Sequence, residues 1–274
     1  MTTTQLPRPK STEGVSTPPL RRVSGLTRTR RMTAFETGMI FRQRNTLLAT
    51  ILAPVFVLFF PVISPPVDDT GWIVLMAPMT VLVLVFSVYI NGATIVAARR
   101  ENQVLKRLRT SELTTTQLVV SMTTPLVGLG IVQVGIVLAG VKLLGGPLPA
   151  YPAVIAAAAL ATALLSVVAG VAIGSMSPNS ERVQYAVMPL LLLAAIGSNL
   201  VMAPGVDPQM RSYLLFAPFT AAVDLVARSS AVMSSLPSTP LPVPPIVFDL
   251  AVTGFWVAAF ALIAVATWRW EPRR

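Results

Sequence analysis

The chain has 274 residues, 54% hydrophobic and only 12% charged, with a mean hydropathy of +0.71; a soluble domain of this size carries about a quarter charged residues, so the composition is that of an integral membrane protein. Cysteine and histidine are both absent, which excludes a disulfide framework, a Cys or His metal site and Cys/His catalysis. The net charge of +10 implies no nucleic-acid partner, because the basic residues gather between apolar runs rather than over a folded surface.

Residues 1–30 are rich in Thr, Ser, Pro and Arg and have no apolar run. They lack the hydrophobic stretch of a signal peptide and are read as a disordered cytoplasmic tail. Residues 31–274 are read as one transmembrane domain. Its first piece, "RMTAFETGMIFRQRN", places Met32, Phe35 and Met39 on one helical stripe with Arg31, Arg42 and Arg44 around it. That pattern predicts an amphipathic helix lying in the membrane interface.

Six apolar segments of roughly the 20 residues needed to cross a bilayer follow. They are Thr46–Ile63, Trp72–Ala98, Leu118–Leu144, Ala153–Met176, Tyr185–Ala203 and Ile246–Trp268. The runs are continuous rather than alternating, which argues against a β-barrel. Between the last two lies the longest connection, Pro204–Pro245. Within it "SYLLFAPFTAAVDLVARS" is apolar but interrupted by Pro218, which predicts a re-entrant or interfacial helical hairpin. A Pro-rich extended return, "LPSTPLPVPP", completes the loop. The expected fold is all-α and integral to the membrane: six transmembrane helices, an N-terminal amphipathic helix, and a helical re-entrant loop before the last span.

With six spans, every Lys and Arg except Lys142, Arg211 and Arg228 falls on one side. The positive-inside rule puts that side, and both termini, in the cytoplasm. Trp72 and Tyr151 then anchor the outer boundary, and Tyr185, Trp268 and Trp270 the inner one. The expected location is the bacterial plasma membrane.

Recognisable catalytic motifs are missing. No GxxxxGK[ST], GxSxG or HExxH occurs. Asp249 is the one clear ionisable group within a span, about a turn from its outer end, and reads as a carboxylate reaching the interface. A proton-coupled pump usually places such groups near mid-membrane. Here the mid-span polar residues are neutral: Asn91 and Gln133, which with Asn199 are candidates for a translocation path or for interhelical hydrogen bonds. Gly170 and Gly174 form a GxxxG, and Gly128, Gly130 and Gly135 dot the preceding span, so helices can approach closely.

The segment "RRENQVLKRLRTSELTTTQ", Arg99–Gln117, places five basic side chains between two apolar spans. Val104, Leu105 and Leu108 share one helical face, while Lys106, Arg107 and Arg109 point elsewhere. A topology signal needs only charge; an apolar stripe adds the means to dock in a groove of a soluble partner. Glu101, Val104, Leu105, Lys106, Arg107, Leu108, Arg109, Ser111 and Leu113 resemble the pattern E-x-G-[TV]-L-K-R-L-R-x-[ST]-P-L of ABC-2 type permease subunits, the group that contains the daunorubicin-resistance type exporters. Gln103 and Glu112 stand where that pattern has Gly and Pro. "SPNSERVQYAVMPLLLLAAIGSNLVMAP", "LLFAPFTAAVDLVARS" and "WRWEPRR" are similar to later parts of the same family.

The resemblance implies a mechanism. Glu101–Thr110 would be a coupling helix, and Arg31–Arg44, with Phe35, Met39 and Arg42, the connecting helix beside it. Two permease subunits, alike or different, would pair and bind two ABC ATPase subunits. ATP and Mg would sit on the ATPases; no cofactor or metal is expected on this chain. The implied function is an ATP-driven exporter of a lipophilic or amphiphilic substrate such as a drug, lipid or hydrophobic peptide. A polysaccharide-export permease, a secondary transporter, and a non-transporting membrane sensor or scaffold are the alternatives.

Overall fold

The computed structural model describes residues 24–42, 44–102, 114–232 and 239–268. Nine helices account for most of them: α1 (Gly25–Arg42), α2 (Arg44–Ile63), α3 (Asp69–Glu101), α4 (Thr115–Leu143), α5 (Pro152–Met176), α6 (Ser180–Met202), α7 (Pro208–Leu214), α8 (Thr220–Ala227) and α9 (Pro245–Thr267). The starts are encoded locally. Asp68, Asn179 and Asp207 each accept a hydrogen bond from the first turn of α3, α6 and α7. Pro152, Pro208 and Pro245 stand at the beginning of their helices, where a missing N–H costs nothing. At α4, Thr114 and Gln117 form a reciprocal capping box, each side chain bonding the other's backbone N–H at 3.1–3.2 Å.

Among the described residues five helices, α3, α4, α5, α6 and α9, are long and apolar enough to cross a membrane, and the chain is a multi-pass membrane protein. The apolar part of α2, Thr50–Ile63, is shorter and contains Pro54 and Pro61. Two differences from the sequence reading concern boundaries. The tail was expected to run to residue 30, but α1 already begins at Gly25: Ser24 Oγ accepts from Thr27 N at 3.3 Å and so starts the helix six residues early. The second span was expected to stop at Ala98, yet α3 runs on through Arg99, Arg100 and Glu101. At 33 residues it is roughly 50 Å long, well beyond a hydrocarbon core of about 30 Å.

α5 is the centre of the bundle, packed by α3, α4, α8 and α9. Small residues make this possible. A Cβ on Gly170 would lie 2.5 Å from Tyr89 O, and one on Gly174 2.5 Å from Ala93 O, so the two backbones meet where the GxxxG faces α3. Midway along α3, Val85–Tyr89 form a π-helical turn. Beside it Gln133 of α4 is fully buried; its Nε2 donates to Thr50 O of α2 at 3.0 Å and its Oε1 meets Ser87 Oγ of α3. One buried amide thus ties three helices.

At the end of the bundle opposite Arg99, the loop between α6 and α9 carries α7 and α8. Phe219, buried at the start of α8, adopts φ 74°, a left-handed conformation unusual for a non-glycine residue. Thr220 Oγ1 fixes the turn by bonding Leu214 O at 2.5 Å and Ala217 O at 2.8 Å. Four charged residues meet beneath it. Arg211 Nη2 lies 2.5 Å from Asp224 Oδ1, Arg228 Nη2 and Nε both lie 2.8 Å from Asp224 Oδ2, and Arg228 Nε lies 3.3 Å from Asp249 Oδ2. All four side chains are buried. Asp249 is therefore no carboxylate reaching the interface: α8 packs over it, and it turns inward toward Arg228.

Candidate functional site

The last three residues of α3 each hold a different neighbour. Successive positions on an α-helix point about 100° apart, so three in a row sweep most of a turn. Arg99 grips Glu36 of α1 with both guanidinium nitrogens, Nη1 to Oε1 at 2.6 Å and Nη2 to Oε2. Glu36 is buried, and the forked geometry makes this a charge-assisted bidentate pair. Arg100 is 1% exposed and donates Nη1 to Ser175 O at 2.7 Å and Nη2 to Gly174 O at 3.3 Å. Those carbonyls belong to the last turn of α5, which has no helical donors of its own, and a cation there complements the helix dipole. Ser175 Oγ also hydrogen-bonds Thr267 Oγ1 at 2.5 Å, extending the link to the end of α9.

Glu101 turns the third way. Its Oε2 accepts from Ser180 N at 3.0 Å and from Ser180 Oγ, at the first residue of α6. A carboxylate at a helix N-terminus meets free N–H groups and the positive end of the dipole. α1, α5 and α6 are thus all joined to one short stretch of α3, and the basic segment follows directly.

The other expected site residues are distributed as follows. Val104, Leu105, Lys106, Arg107, Leu108, Arg109 and Thr110 lie outside the described residues. Of the connecting-helix trio, Met39 is half-buried while Phe35 and Arg42 are exposed. Met32 packs against the core, so the stripe divides, with Phe35 turned outward between Arg31 and Arg42. Asn91 is half-buried and bonds back to Ser87 O at 2.5 Å. Gln133 is enclosed in the three-helix tie. Asn199 stands exposed on α6, with one amide N–H on Ala195 O at 2.8 Å.

Sequence reasoning missed Glu36, Ser180 and the separate roles of Arg99 and Arg100. One signal was present: Glu36 is the only acidic residue in α1, and an acid among arginines on an interfacial helix calls for a basic partner. Ser180 gave no such sign.

A family model for ABC-2 family transporter proteins matches residues 60–268, from within α2 to the end of α9. The chain belongs to the ABC-2 transporter family. No curated protein matches it. ABC-2 permeases are membrane components that are not themselves catalytic and generally work with an ABC ATPase partner. The matched region contains the Arg99–Glu101 junction and the charged cluster at the opposite end; Glu36 lies before it.

Proposed function

We propose that this chain is the permease subunit of an ATP-driven exporter for lipophilic or amphiphilic molecules, of the daunorubicin-resistance type. The observation that supports it most is the fan of contacts from Arg99, Arg100 and Glu101 to α1, α5 and α6. In this reading two ABC ATPase subunits, carrying ATP and Mg, dock on the basic segment that follows. Val104, Leu105 and Leu108 supply the apolar contact, and Lys106, Arg107 and Arg109 set register and charge complementarity. A displacement of that segment then enters three helices at once, and ATP drives the switch by favouring one arrangement through differential binding.

The rest of the architecture follows from this orientation. The Arg99 end and both termini face the cytoplasm, α2 is the sixth span, and α7 with α8 form a re-entrant hairpin from the other side. A second permease subunit covers exposed faces such as Leu192, Ile196 and Asn199 on α6, where the free amide atoms of Asn199 need a partner within the bilayer. An apolar groove of about 730 Å³ between α2 and α3 favours a lipophilic cargo. Leu52, Phe56, Phe59, Met79, Leu82 and Phe86 line it, and no hydroxyl, amide or charged side chain joins them among the described residues. A sugar chain needs hydrogen-bond partners that such walls lack.

The test uses the full chain and the ABC ATPase encoded nearest to it, co-purified and reconstituted in proteoliposomes. Leu108→Asp should abolish association while membrane insertion persists. Glu36→Gln should keep association but lower substrate-stimulated ATP hydrolysis, because the Arg99 grip on α1 loses its charge. Normal co-purification of Leu108→Asp, or full stimulation in Glu36→Gln, would count against the reading.

A further inference from the structure

The charged cluster at the end opposite Arg99 is bonded unequally. Arg211, Asp224 and Arg228 belong to the α7–α8 segment, and their short contacts at both Asp224 oxygens knit that segment to itself. Asp249 belongs to α9 and meets the cluster at Arg228 Nε, 3.3 Å away. Neither of its oxygens accepts a hydrogen bond among the described residues, although the side chain is fully buried. Two arginines face two aspartates here, and Asp249 meets them at a single atom, the loosest contact of the cluster. A buried carboxylate without hydrogen bonds is costly to keep from water, and water reaching it would offset that cost.

Other features of the same seam point the same way. Thr253, one turn along α9, is also buried, and its Oγ1 has no hydrogen-bond partner among the described residues. Asp249 and Thr253 are four residues apart and so share a face of α9, giving a buried polar strip whose oxygens water could satisfy. Phe216 carries two further ties between the α7–α8 segment and α9: its carbonyl accepts from Trp256 Nε1 at 2.9 Å, and its ring packs edge-on against Phe248 at 5.4 Å. Phe216 lies between α7 and α8, three residues before the left-handed Phe219, so both ties sit at the segment's own turn.

We infer that Asp249 and Arg228 form a latch. Closed, it seals the α7–α8 segment onto α9. Open, it admits water along Asp249 and Thr253 while Arg211, Asp224 and Arg228 move as one body. Its use as an exit gate rests on the transport reading above; the latch itself does not.

The chain contains no cysteine, so Thr253→Cys supplies a single thiol. The full chain carrying it is purified into lipid nanodiscs, where both faces are accessible, and labelled with a water-soluble maleimide. Asp249→Asn should speed labelling by about fivefold or more, the change expected when a closed–open equilibrium loses a weak buried contact. Arg228→Lys should speed it less, since lysine keeps a charge for Asp224 but lacks the Nε atom that faces Asp249. Labelling at the parent rate in folded, monodisperse variants would overturn the latch. Loss of folded protein in both variants would overturn it too, because a contact that opens only by unfolding is part of the core. Neither ATPase nor cargo is in the assay, so failure of the transport reading leaves this result untouched.

Discussion

The two ends of the bundle use charge in opposite ways. At the Arg99 end, three consecutive residues of one helix reach outward to α1, α5 and α6, and each finds its own partner. At the other end, residues from α7, α8 and α9 reach inward to one point and share partners. The first arrangement spreads a displacement of one element over several. The second makes several elements depend on a single contact. Exposure differs at Glu101 alone: it stands at the surface, whereas Arg100 and Glu36 at its end are buried, as are Asp224 and Asp249 at the other.

The comparison breaks most visibly at Asp224. Asparagine there keeps the shape but leaves Arg211 and Arg228 with one carboxylate, Asp249, that bonds neither well. Removing one partner of a buried ion pair costs about 3–5 kcal/mol. The expected outcome is a large fall in the thermal midpoint of the detergent-purified protein and in its monodisperse yield. An unchanged midpoint would mean that water already hydrates the cluster, and the contrast between the two ends would vanish.

A smaller effect is expected where the ends are joined. α3 and α5 connect them, and their contact depends on Gly170 and Gly174. Gly174→Val should cost about 1–3 kcal/mol, because its Cβ would strike the carbonyl of Ala93 and only backbone movement relieves the clash. Gly135→Val on α4 is the control, since a Cβ there meets nothing within 4 Å. Equal midpoints for the two variants would show that α5 is not the strut between the ends.

Five of the six expected spans were legible because continuous apolar runs need little tertiary information; the predicted starts at Leu118, Ala153 and Ile246 fall within three residues of α4, α5 and α9. The capping box was written in the sequence as Thr114-x-x-Gln117. The GxxxG could be read, but not which helix it met, since glycines at Gly128, Gly130 and Gly135 carried the same local signal and only packing separates them. The charged cluster was not legible. Arg211 and Arg228 look like ordinary loop charges, and Asp249 lies 21 residues beyond Arg228 across a Pro-rich return, so nothing in the spacing pairs them. The π-helical turn at Val85–Tyr89 left no mark either; it comes from how α3 packs, not from Gly or Pro inside the turn.

The smallest expected effect lies at the far edge of the basic segment, where α4 begins. Thr114→Ala removes one half of the capping box and should cost about 1 kcal/mol, a shift of about 2–4 °C in the thermal midpoint for a protein of this size. That loss is local, because Gln117 remains packed beside Gly25 of α1. Its value is in what it separates. If a push on the basic segment must be resisted at both ends, Arg99–Glu101 on one side and the Thr114 cap on the other, the variant should lose substrate-stimulated ATP hydrolysis out of proportion to its small loss of stability. If the α3 end alone carries the force, stimulation should survive, and the work of coupling would belong entirely to the three residues that fan out from that helix.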